Sequence, residues 1–357
     1  MLNYLKSFDW KLNAAVFLLV LAGFMSLASA DSDLFWKQAL WLGIGLVFFI
    51  FIFIFDWRPF INYRGAIFGF YLFVVLLLLI TYFFAPSIRG TKGWLVFGNF
   101  HFQVAELAKL SLIIFYAYFF SRKHIGIARI SNLISSFFYF SIPAALIALQ
   151  PDLGSVLVLF CIWFGFLLVS GINPKHLIVI LIILSISGAI MWQYGLKDYQ
   201  KERIMGFFFP GRDPLGINYN VIQSKIAIGS AGLFGKGFGQ GAQVQLGFLP
   251  EAKTDFIFAA FIEEWGILAG FLLVAIFLFL VFKIVKIGTE ADSNFTRFVC
   301  LGAAILFISQ FIFNVGSNIG FMPVVGVTFP FLSYGGSSLL TNLVLISIIQ
   351  SLFARHS

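Results

Sequence analysis

Long apolar runs separated by short polar segments dominate the chain. A helix that crosses the hydrocarbon core of a membrane needs about 20 apolar residues, and runs of this length occur about ten times. Their bounds are close to 12–30, 34–55, 65–84, 103–121, 133–149, 154–170, 175–195, 256–282, 298–320 and 335–353. The second run contains "VFFIFIFIF", in which no polar residue alternates with the apolar ones, so a lipid-facing helix is favoured over a half-buried strand. The pattern predicts an all-α polytopic membrane protein.

Composition supports an integral membrane protein. The chain is 61% hydrophobic and 11% charged, whereas soluble domains are roughly 45–50% apolar and 25% charged. Cys161 and Cys300 each fall inside a predicted span, so neither a disulfide nor a metal cluster is indicated. No repeat or low-complexity linker divides the sequence. Residues 1–357 are therefore predicted to form one transmembrane domain.

Basic residues are distributed unevenly between the two sides that the predicted spans define. Short cytoplasmic segments of membrane proteins carry an excess of Lys and Arg. One side holds Lys6, Lys11, Arg58, Arg64, Arg122, Lys123, Arg129, Lys175, Lys283, Lys286, Arg297 and Arg355, whereas the short segments of the other hold Lys37, Arg89 and Lys92. The asymmetry predicts that both termini lie in the cytoplasm. Orientation and anionic lipid headgroups account for the net charge of +8, so nucleic-acid binding is not expected.

The long segment 196–255 lies between the seventh and eighth predicted spans and faces the outside in this topology. It holds much of the charge of the chain, so a functional site is expected there, although exposed loops are polar by default. Apolar residues at helical spacing, from Val221 to Ile228, predict an interfacial helix lying on the membrane. The glycines that follow predict a tightly bent backbone.

The stretch "GLFGKGFGQG" fits neither common nucleotide-binding pattern. A phosphate-binding loop of the Walker type requires Ser or Thr after its Lys, whereas Gly237 follows Lys236. A dinucleotide-binding motif requires a preceding strand. Exposed backbone N–H groups beside Lys236 remain a candidate cradle for a diphosphate.

Charged residues at the ends of the spans supply a second set of candidates. Glu106 and Lys109, three residues apart in "QVAELAKL", can form an ion pair. That pair either locks helices together or lines a polar cavity that contacts a substrate. Asp152 in "LQPDLGS" suits a tight turn or a helix cap. Glu263 and Glu264 are adjacent and are expected to face different sides of the eighth span.

Six stretches together resemble the SEDS family (shape, elongation, division and sporulation), and within it the branch that acts in rod-shaped growth. They are "FQVAELAKL" at 102–110, "QPDLGS" at 150–155, "DPLGINYNVIQSKIAIGSAGLFGKG" at 213–237, "FLPEAKTDFIFA" at 248–259, "EEWG" at 263–266 and "NIGFMPVVGVTFPFLSYGGSS" at 318–338. The resemblance runs through most of the chain from the fourth span onward. Lys253 departs from it, because the family usually has His at this position.

The resemblance implies a peptidoglycan glycosyltransferase that polymerises lipid II outside the cytoplasmic membrane. It also implies a class B penicillin-binding protein as the partner that supplies the transpeptidase, with lipid II and the growing glycan strand as the molecules bound. Asp255 matches the essential aspartate of the family. The chemistry suits a carboxylate, because the acceptor sugar hydroxyl must lose a proton as it displaces the lipid diphosphate.

A diphosphate leaves without protonation, so this reaction needs positive charge more than a second carboxyl group. The candidates to hold the diphosphate are Arg203, Arg212, Lys225, Lys236 and Lys253. A divalent cation, Mg²⁺ or Mn²⁺, is a further candidate, and no organic cofactor is expected. Glu106, Lys109 and Asp152 are expected to support a polar cavity beneath the substrate.

Three alternatives remain. A flippase or transporter of the lipid-linked precursor also has many spans, but it requires polar residues along a path through the bilayer. A non-catalytic scaffold for the transpeptidase has no use for Asp255. Within the family, a division-type FtsW protein is the alternative to the elongation type.

Overall fold

Helices form most of the computed structural model, which describes residues 8–55, 59–60, 63–88, 90–98, 100–123, 130–209, 211, 213–216 and 218–355. The helices before the long loop are α1 (Trp10–Ala30), α2 (Ser32–Ile54), α3 (Arg64–Phe84), α4 (Val104–Lys123), α5 (Ile130–Leu149), α6 (Leu153–Val169) and α7 (Pro174–Ile190). The long loop contains α8 (Asp198–Phe208), α9 (Tyr219–Ser230) and α10 (Ala242–Gln245). The chain then forms α11 (Ile257–Glu290), α12 (Asn294–Ile319) and α13 (Gly336–Ala354).

Each predicted span coincides with one helix, which confirms the all-α membrane fold. Among the described residues, nine helices are long and apolar enough to cross a membrane, and α6 is apolar but shorter, at 17 residues. Helix α11 continues past the predicted end of its span at residue 282 and reaches Glu290. A π-helical turn, Met191–Gly195, extends α7 towards the long loop.

Side chains at the starts of several helices satisfy their free backbone N–H groups. Asp9 Oδ1 accepts from Leu12 N at 3.0 Å at the start of α1. Asp31 Oδ1 accepts from Leu34 N at 3.1 Å at the start of α2. Such caps stabilise a helix end by about 1 kcal/mol, and each fixes where the chain enters the bundle.

A short hairpin between α3 and α4 was not predicted. Strand β1 (Trp94–Phe97) pairs antiparallel with β2 (Phe100–Gln103), with Trp94 opposite Gln103. The sequence signal is "VFGNFHF", in which Gly-Asn separates two runs rich in aromatic and β-branched residues. The hairpin places Gln103 directly before the first turn of α4.

Burial separates central helices from peripheral ones. Helices α4 and α13 are mostly buried, whereas α7 is almost entirely exposed along its length. Helix α13 packs along α2, and α11 packs along α1 and α12. The exposed apolar side chains of α7 and of the outer faces of α2 and α3 suit contact with lipid.

Five links between helices meet at one end of the bundle, which we term the loop end: Asp31 and the described parts of the segments 85–103, 150–152, 191–256 and 320–335. Gln103 Nε2 donates to Asp152 Oδ2 at 2.7 Å, and Gln103 N donates to Ser337 Oγ at 2.8 Å. At the opposite end, Lys283 pairs with Asp9 at 2.6 Å, and Arg355 donates to the carbonyl oxygens at the end of α2. The two ends therefore agree with the alternation of spans that the hydropathy predicts.

The link 320–335, here termed the re-entrant segment, enters the bundle without forming a helix. Phe329 is buried, with its ring centroid 5.4 Å from that of Phe277 in the middle of α11. The carbonyl of Leu332 lies against Gly23 in α1, where a Cβ would collide with it. Non-helical backbone is tolerated inside a membrane bundle where protein surrounds it.

The described part of the long loop 196–255 contains three helices, α8, α9 and α10. The predicted helix around Val221 to Ile228 is confirmed as α9, whereas α8 was not predicted. Positive φ angles at Gly232, Gly235, Gly237 and Gly239 confirm the predicted tight bends after α9. Arg212 lies outside the described residues.

Candidate active site

Asp255 lies in the turn formed by residues 250–256, the Asp255 turn, immediately before α11. Its carbonyl oxygen accepts two hydrogen bonds from α12, one from Asn314 Nδ2 at 3.0 Å and one from Asn318 Nδ2 at 2.8 Å. Side-chain amides of one helix therefore hold the backbone at the residue predicted to be catalytic.

The preceding two carbonyl oxygens of the turn are held by the re-entrant segment. Tyr334 N donates to Lys253 O at 2.9 Å, and Ser333 Oγ donates to Thr254 O at 2.7 Å. Three consecutive carbonyl groups thus accept hydrogen bonds from other parts of the bundle. A turn restrained at three successive peptides is a rigid support for a catalytic side chain.

The Asp255 carboxylate is half-buried and lies close to the backbone of Gly326. A Cβ added to Gly326 would lie 3.8 Å from Asp255 Oδ2, and Gly326 has a φ of 73°. Glycine adopts this conformation without the steric cost that a side chain would impose. The re-entrant segment therefore lies beside both the backbone and the carboxylate of Asp255.

Lys253 forms an ion pair with Asp31, the residue between α1 and α2. The Nζ to Oδ2 distance is 2.7 Å, and both side chains are about one-third exposed, at 31% and 28%. The hydrogen bond from Lys253 lowers the pKa of Asp31 below its ordinary value. The structure thus directs the Lys253 ammonium towards Asp31, a residue that the sequence did not single out.

We expect Asp31→Asn to lower the free energy of unfolding by less than about 1 kcal/mol, because the pair is partly exposed. A lowered pKa in the folded state stabilises the protein above the pKa of the unfolded state, and this stabilisation is lost as pH falls through the folded pKa. The melting temperatures of wild type and variant should therefore differ at neutral pH and converge in acid. Lys253→Met should show the same dependence; a difference that does not vary with pH would contradict the pairing.

The other predicted cations lie on different elements of the loop end. Arg203 is exposed on α8, and Lys236 is exposed in the bent segment that follows α9. Lys225 is exposed on α9, and its side chain lies over Gly320 at the carboxyl end of α12. A cation at that position interacts favourably with the helix dipole. Their predicted role in binding a diphosphate stays a prediction.

Residues 232–241, the glycine segment, lie against a break in α11 at Gly266, which has φ 88° and ψ 170°. The N–H groups of Ile267 and Leu268 donate to Gly232 O and Leu233 O at 3.1 and 3.2 Å. In return, backbone N–H groups of the glycine segment donate to Glu263 O and Glu264 O, the two carbonyl oxygens that the break leaves without a partner in the helix. The broken helix and the bent loop therefore satisfy each other's backbone.

This pairing contradicts the predicted diphosphate cradle at the backbone of Lys236 and Gly237. The N–H groups of Lys236 and Gly237 donate to Glu263 O and Glu264 O at 2.9 and 3.0 Å, so they are not free to cradle a diphosphate. The carboxylates of these two glutamates have different partners, so their predicted orientation to different sides stays a prediction. Glu263 Oε1 accepts from Gln243 N at 2.9 Å. Glu264 Oε1 accepts from Gly239 N at 3.3 Å.

Gly266→Ala should destabilise the protein by more than about 2 kcal/mol, because alanine is strained at this φ. Its Cβ would also collide with the backbone of Leu233 and Gly235. The matched control is Gly188→Ala in α7, where a Cβ would meet no atom of the described chain within 4 Å. That control should be neutral or slightly stabilising. Equal melting temperatures for the two variants would contradict the steric argument.

The predicted pair of Glu106 and Lys109 is confirmed, with 2.7 Å between Oε1 and Nζ, and both side chains are buried. Asp152 is confirmed as a helix cap, because its Oδ1 accepts from Ser155 N at 3.0 Å at the start of α6. Gln103 joins Asp152 to the first turn of α4, which carries Glu106. The predicted role of Glu106, Lys109 and Asp152 in supporting a polar cavity beneath the substrate stays a prediction.

Residues 9–357 match the family of cell cycle proteins that comprises FtsW, RodA and SpoVE. The chain belongs to this family. It is the family that the sequence motifs indicated, also called SEDS.

Several members are close relatives. The peptidoglycan glycosyltransferase MrdB of Escherichia coli K12 is 36% identical over 294 residues, which cover 80% of this chain and 77% of MrdB. A solved peptidoglycan synthase complex, described as coordinating polymerization and crosslinking, contains a chain 31% identical to this one; the match covers 98% of both chains, with a TM-score of 0.83. RodA of Thermus thermophilus, a rod shape determining protein, is 27% identical over 98% of this chain and 97% of RodA, with a TM-score of 0.73.

The described residues of this SEDS protein do not bring three His, Cys, Asp or Glu side chains together as a metal site would require. Mg²⁺ is commonly held by one or two carboxylates together with substrate phosphates. Asp255 offers one carboxylate of that kind, and the predicted Mg²⁺ or Mn²⁺ stays a prediction.

Sequence reasoning missed the residues that hold the Asp255 turn in this SEDS protein. Asn314 and Asn318 are buried polar residues inside a predicted span. Polar residues within spans are expensive and tend to be functional, and this signal could have identified them. Ser333 falls inside a quoted family motif but had no assigned role.

Proposed function

We propose that the protein polymerises lipid II into glycan strands during cell elongation, with Asp255 as the general base for the acceptor hydroxyl. The observation that carries the proposal is the Asp255 turn, whose three consecutive carbonyl groups are held by α12 and the re-entrant segment. Relatives carry the name peptidoglycan glycosyltransferase, and that enzyme class is the one the sequence predicted.

The reaction requires a proton acceptor at a fixed position. The acceptor hydroxyl loses its proton to the Asp255 carboxylate while its oxygen forms a bond to the anomeric carbon of the donor sugar. The bond from that carbon to the lipid diphosphate breaks, and the diphosphate leaves as an anion. A positioned general base contributes roughly 10²-fold to 10⁴-fold to the rate.

Positive charge stabilises the departing diphosphate. Arg203, Lys225 and Lys236 are exposed on three different elements of the loop end, and they are the cations proposed for this role. Lys253 lies two residues from Asp255, where its ion pair with Asp31 keeps it at the edge of the site. A divalent cation bound to the diphosphate would add further charge stabilisation.

The loop end faces the outside of the cytoplasmic membrane, and both termini lie in the cytoplasm. The excess of Lys and Arg at the opposite end, including Lys283, Lys286 and Arg355, supports this orientation. The polyprenyl tail of the substrate then stays among the spans or in the bilayer while its headgroup reaches Asp255. In this proposal a polar cavity lies beneath the substrate, and it is supported by Glu106, Lys109 and Asp152.

A class B penicillin-binding protein is the proposed partner. Support comes from the similarity to a chain of the synthase complex, which joins polymerization and crosslinking. The elongation role rests on the similarity to MrdB and RodA. A division role of the FtsW type is the alternative within the family.

Polymerisation of labelled lipid II by purified protein with its transpeptidase tests the proposal. Wild type should produce long glycan strands, whereas Asp255→Asn prepared in parallel reports any contaminating polymerase. Movement of lipid II across vesicles without strand formation would favour a flippase. Neither activity in a folded, partner-bound preparation would favour a scaffold.

A further inference from the structure

Asn318 uses all the hydrogen-bonding groups of its side chain at one junction. Its Nδ2 donates to Asp255 O and to Asn314 O, both at 2.8 Å. Its Oδ1 accepts from Ala259 N at 3.0 Å, and the residue is fully buried. The amide therefore contacts the Asp255 turn, the start of α11 and its own helix α12.

The contact to Ala259 is a helix cap supplied by another helix. Ala259 is the third residue of α11, and the first N–H groups of a helix lack partners within it. Phe256, which precedes α11, has a side chain that cannot accept a hydrogen bond. Asn318 thus fixes the first turn of α11 relative to the Asp255 carbonyl.

Asn314 provides the second donor to that carbonyl and extends the connection. Its Nδ2 donates to Asp255 O at 3.0 Å and to Val327 O at 2.9 Å. Val327 follows Gly326, whose backbone lies beside the Asp255 carboxylate. The Asn314 amide therefore links the backbone of Asp255 to the backbone beside the Asp255 carboxylate, at Val327.

We propose that Asn314 and Asn318 are positioning residues that fix the direction of the Asp255 carboxylate, an inference that rests on the proposed function. A single donor would satisfy a buried carbonyl group. Two donors from successive turns of α12 restrain the position of the peptide as well as its hydrogen bonding. Misplacement of a catalytic group by about 1 Å costs on the order of 10²-fold in rate.

Replacing Asn318 with Asp or with Leu separates positioning from helix capping. Asp has nearly the same shape and still offers an oxygen to Ala259 N, so it keeps the cap. It loses both Nδ2 donors, one of which holds Asp255. Leu loses the cap and the donors together.

We expect Asn318→Asp to lower kcat for lipid II polymerisation by about 10-fold to 100-fold, with KM changed less than about threefold. Asn318→Leu should lower kcat at least as much and also lower the melting temperature. Ser309→Ala is the matched control, because Ser309 is a buried polar residue of α12 whose hydroxyl donates to Leu306 O in the same helix. It should retain wild-type kcat.

Asn314→Ser provides a second test if Asn318→Asp does not fold. It leaves the Asn318 cap intact and removes one donor to the Asp255 carbonyl, so kcat should fall by about tenfold. Wild-type kcat in either folded variant would overturn the positioning role, as would a loss confined to KM. Asp255→Asn is measured alongside to distinguish the two failures. Full activity of Asp255→Asn overturns the proposed base. Loss of its activity, while Asn318→Asp and Asn314→Ser stay active, overturns only the positioning role.

Discussion

Asp255→Asn is expected to reduce lipid II polymerisation by about 10³-fold, the middle of the range for loss of a positioned general base. The amide has the same shape as the carboxylate but cannot accept the proton of the acceptor hydroxyl. The backbone contacts of the turn involve carbonyl oxygens, so they persist in the variant. Stability should therefore change little while kcat falls.

Strand length and rate can be followed with labelled lipid II in the presence of the partner transpeptidase. Glu202→Gln is a suitable control, because Glu202 is an exposed acid of α8 in the same long loop. It should keep its activity within about twofold of wild type, as exposed surface changes usually have small effects. Polymerisation by Asp255→Asn near the wild-type rate would exclude Asp255 as the base.

The largest effect on stability is expected from breaking the pair of Glu106 and Lys109. Both side chains are almost fully buried, at 7% and 4% exposure. Removing one partner leaves an uncompensated charge in a low-dielectric interior, which costs about 3–5 kcal/mol. Glu106→Gln and Lys109→Met should each lower the melting temperature strongly.

The double variant Glu106→Leu/Lys109→Met should be more stable than Lys109→Met alone, because it leaves no unpaired charge. Lys286→Met serves as the control, since Lys286 and Glu290 form an ion pair that is half-exposed, at 50% and 54%. Its loss should cost less than about 1 kcal/mol. Equal losses from the buried and exposed pairs would show that burial does not set the energy.

The sequence by itself determined the features that depend on neighbouring residues. Hydropathy located the ten spans because crossing a bilayer requires a long apolar run. The spacing of Glu106 and Lys109 predicted their pair because residues three apart share a helix surface. Asp152 was predicted as a turn or cap from its position at the start of a span.

The motif in which Asp255 lies also came from the sequence, but only through resemblance to a family. Local spacing could not reveal its supports, because Asn314 and Asn318 lie 59 and 63 residues away along the chain. Ser333, which holds Thr254, is 79 residues away. Packing of α12 and the re-entrant segment against α11 brings these donors together.

Tertiary structure also decided which groups the charged and glycine-rich residues bind. Lys253 pairs with Asp31, 222 residues away. The N–H groups of Lys236 and Gly237 bind carbonyl groups at the break in α11. A sequence shows which groups need partners, but the partner is chosen among all groups that folding brings within hydrogen-bonding distance, and that choice depends on packing of the whole bundle.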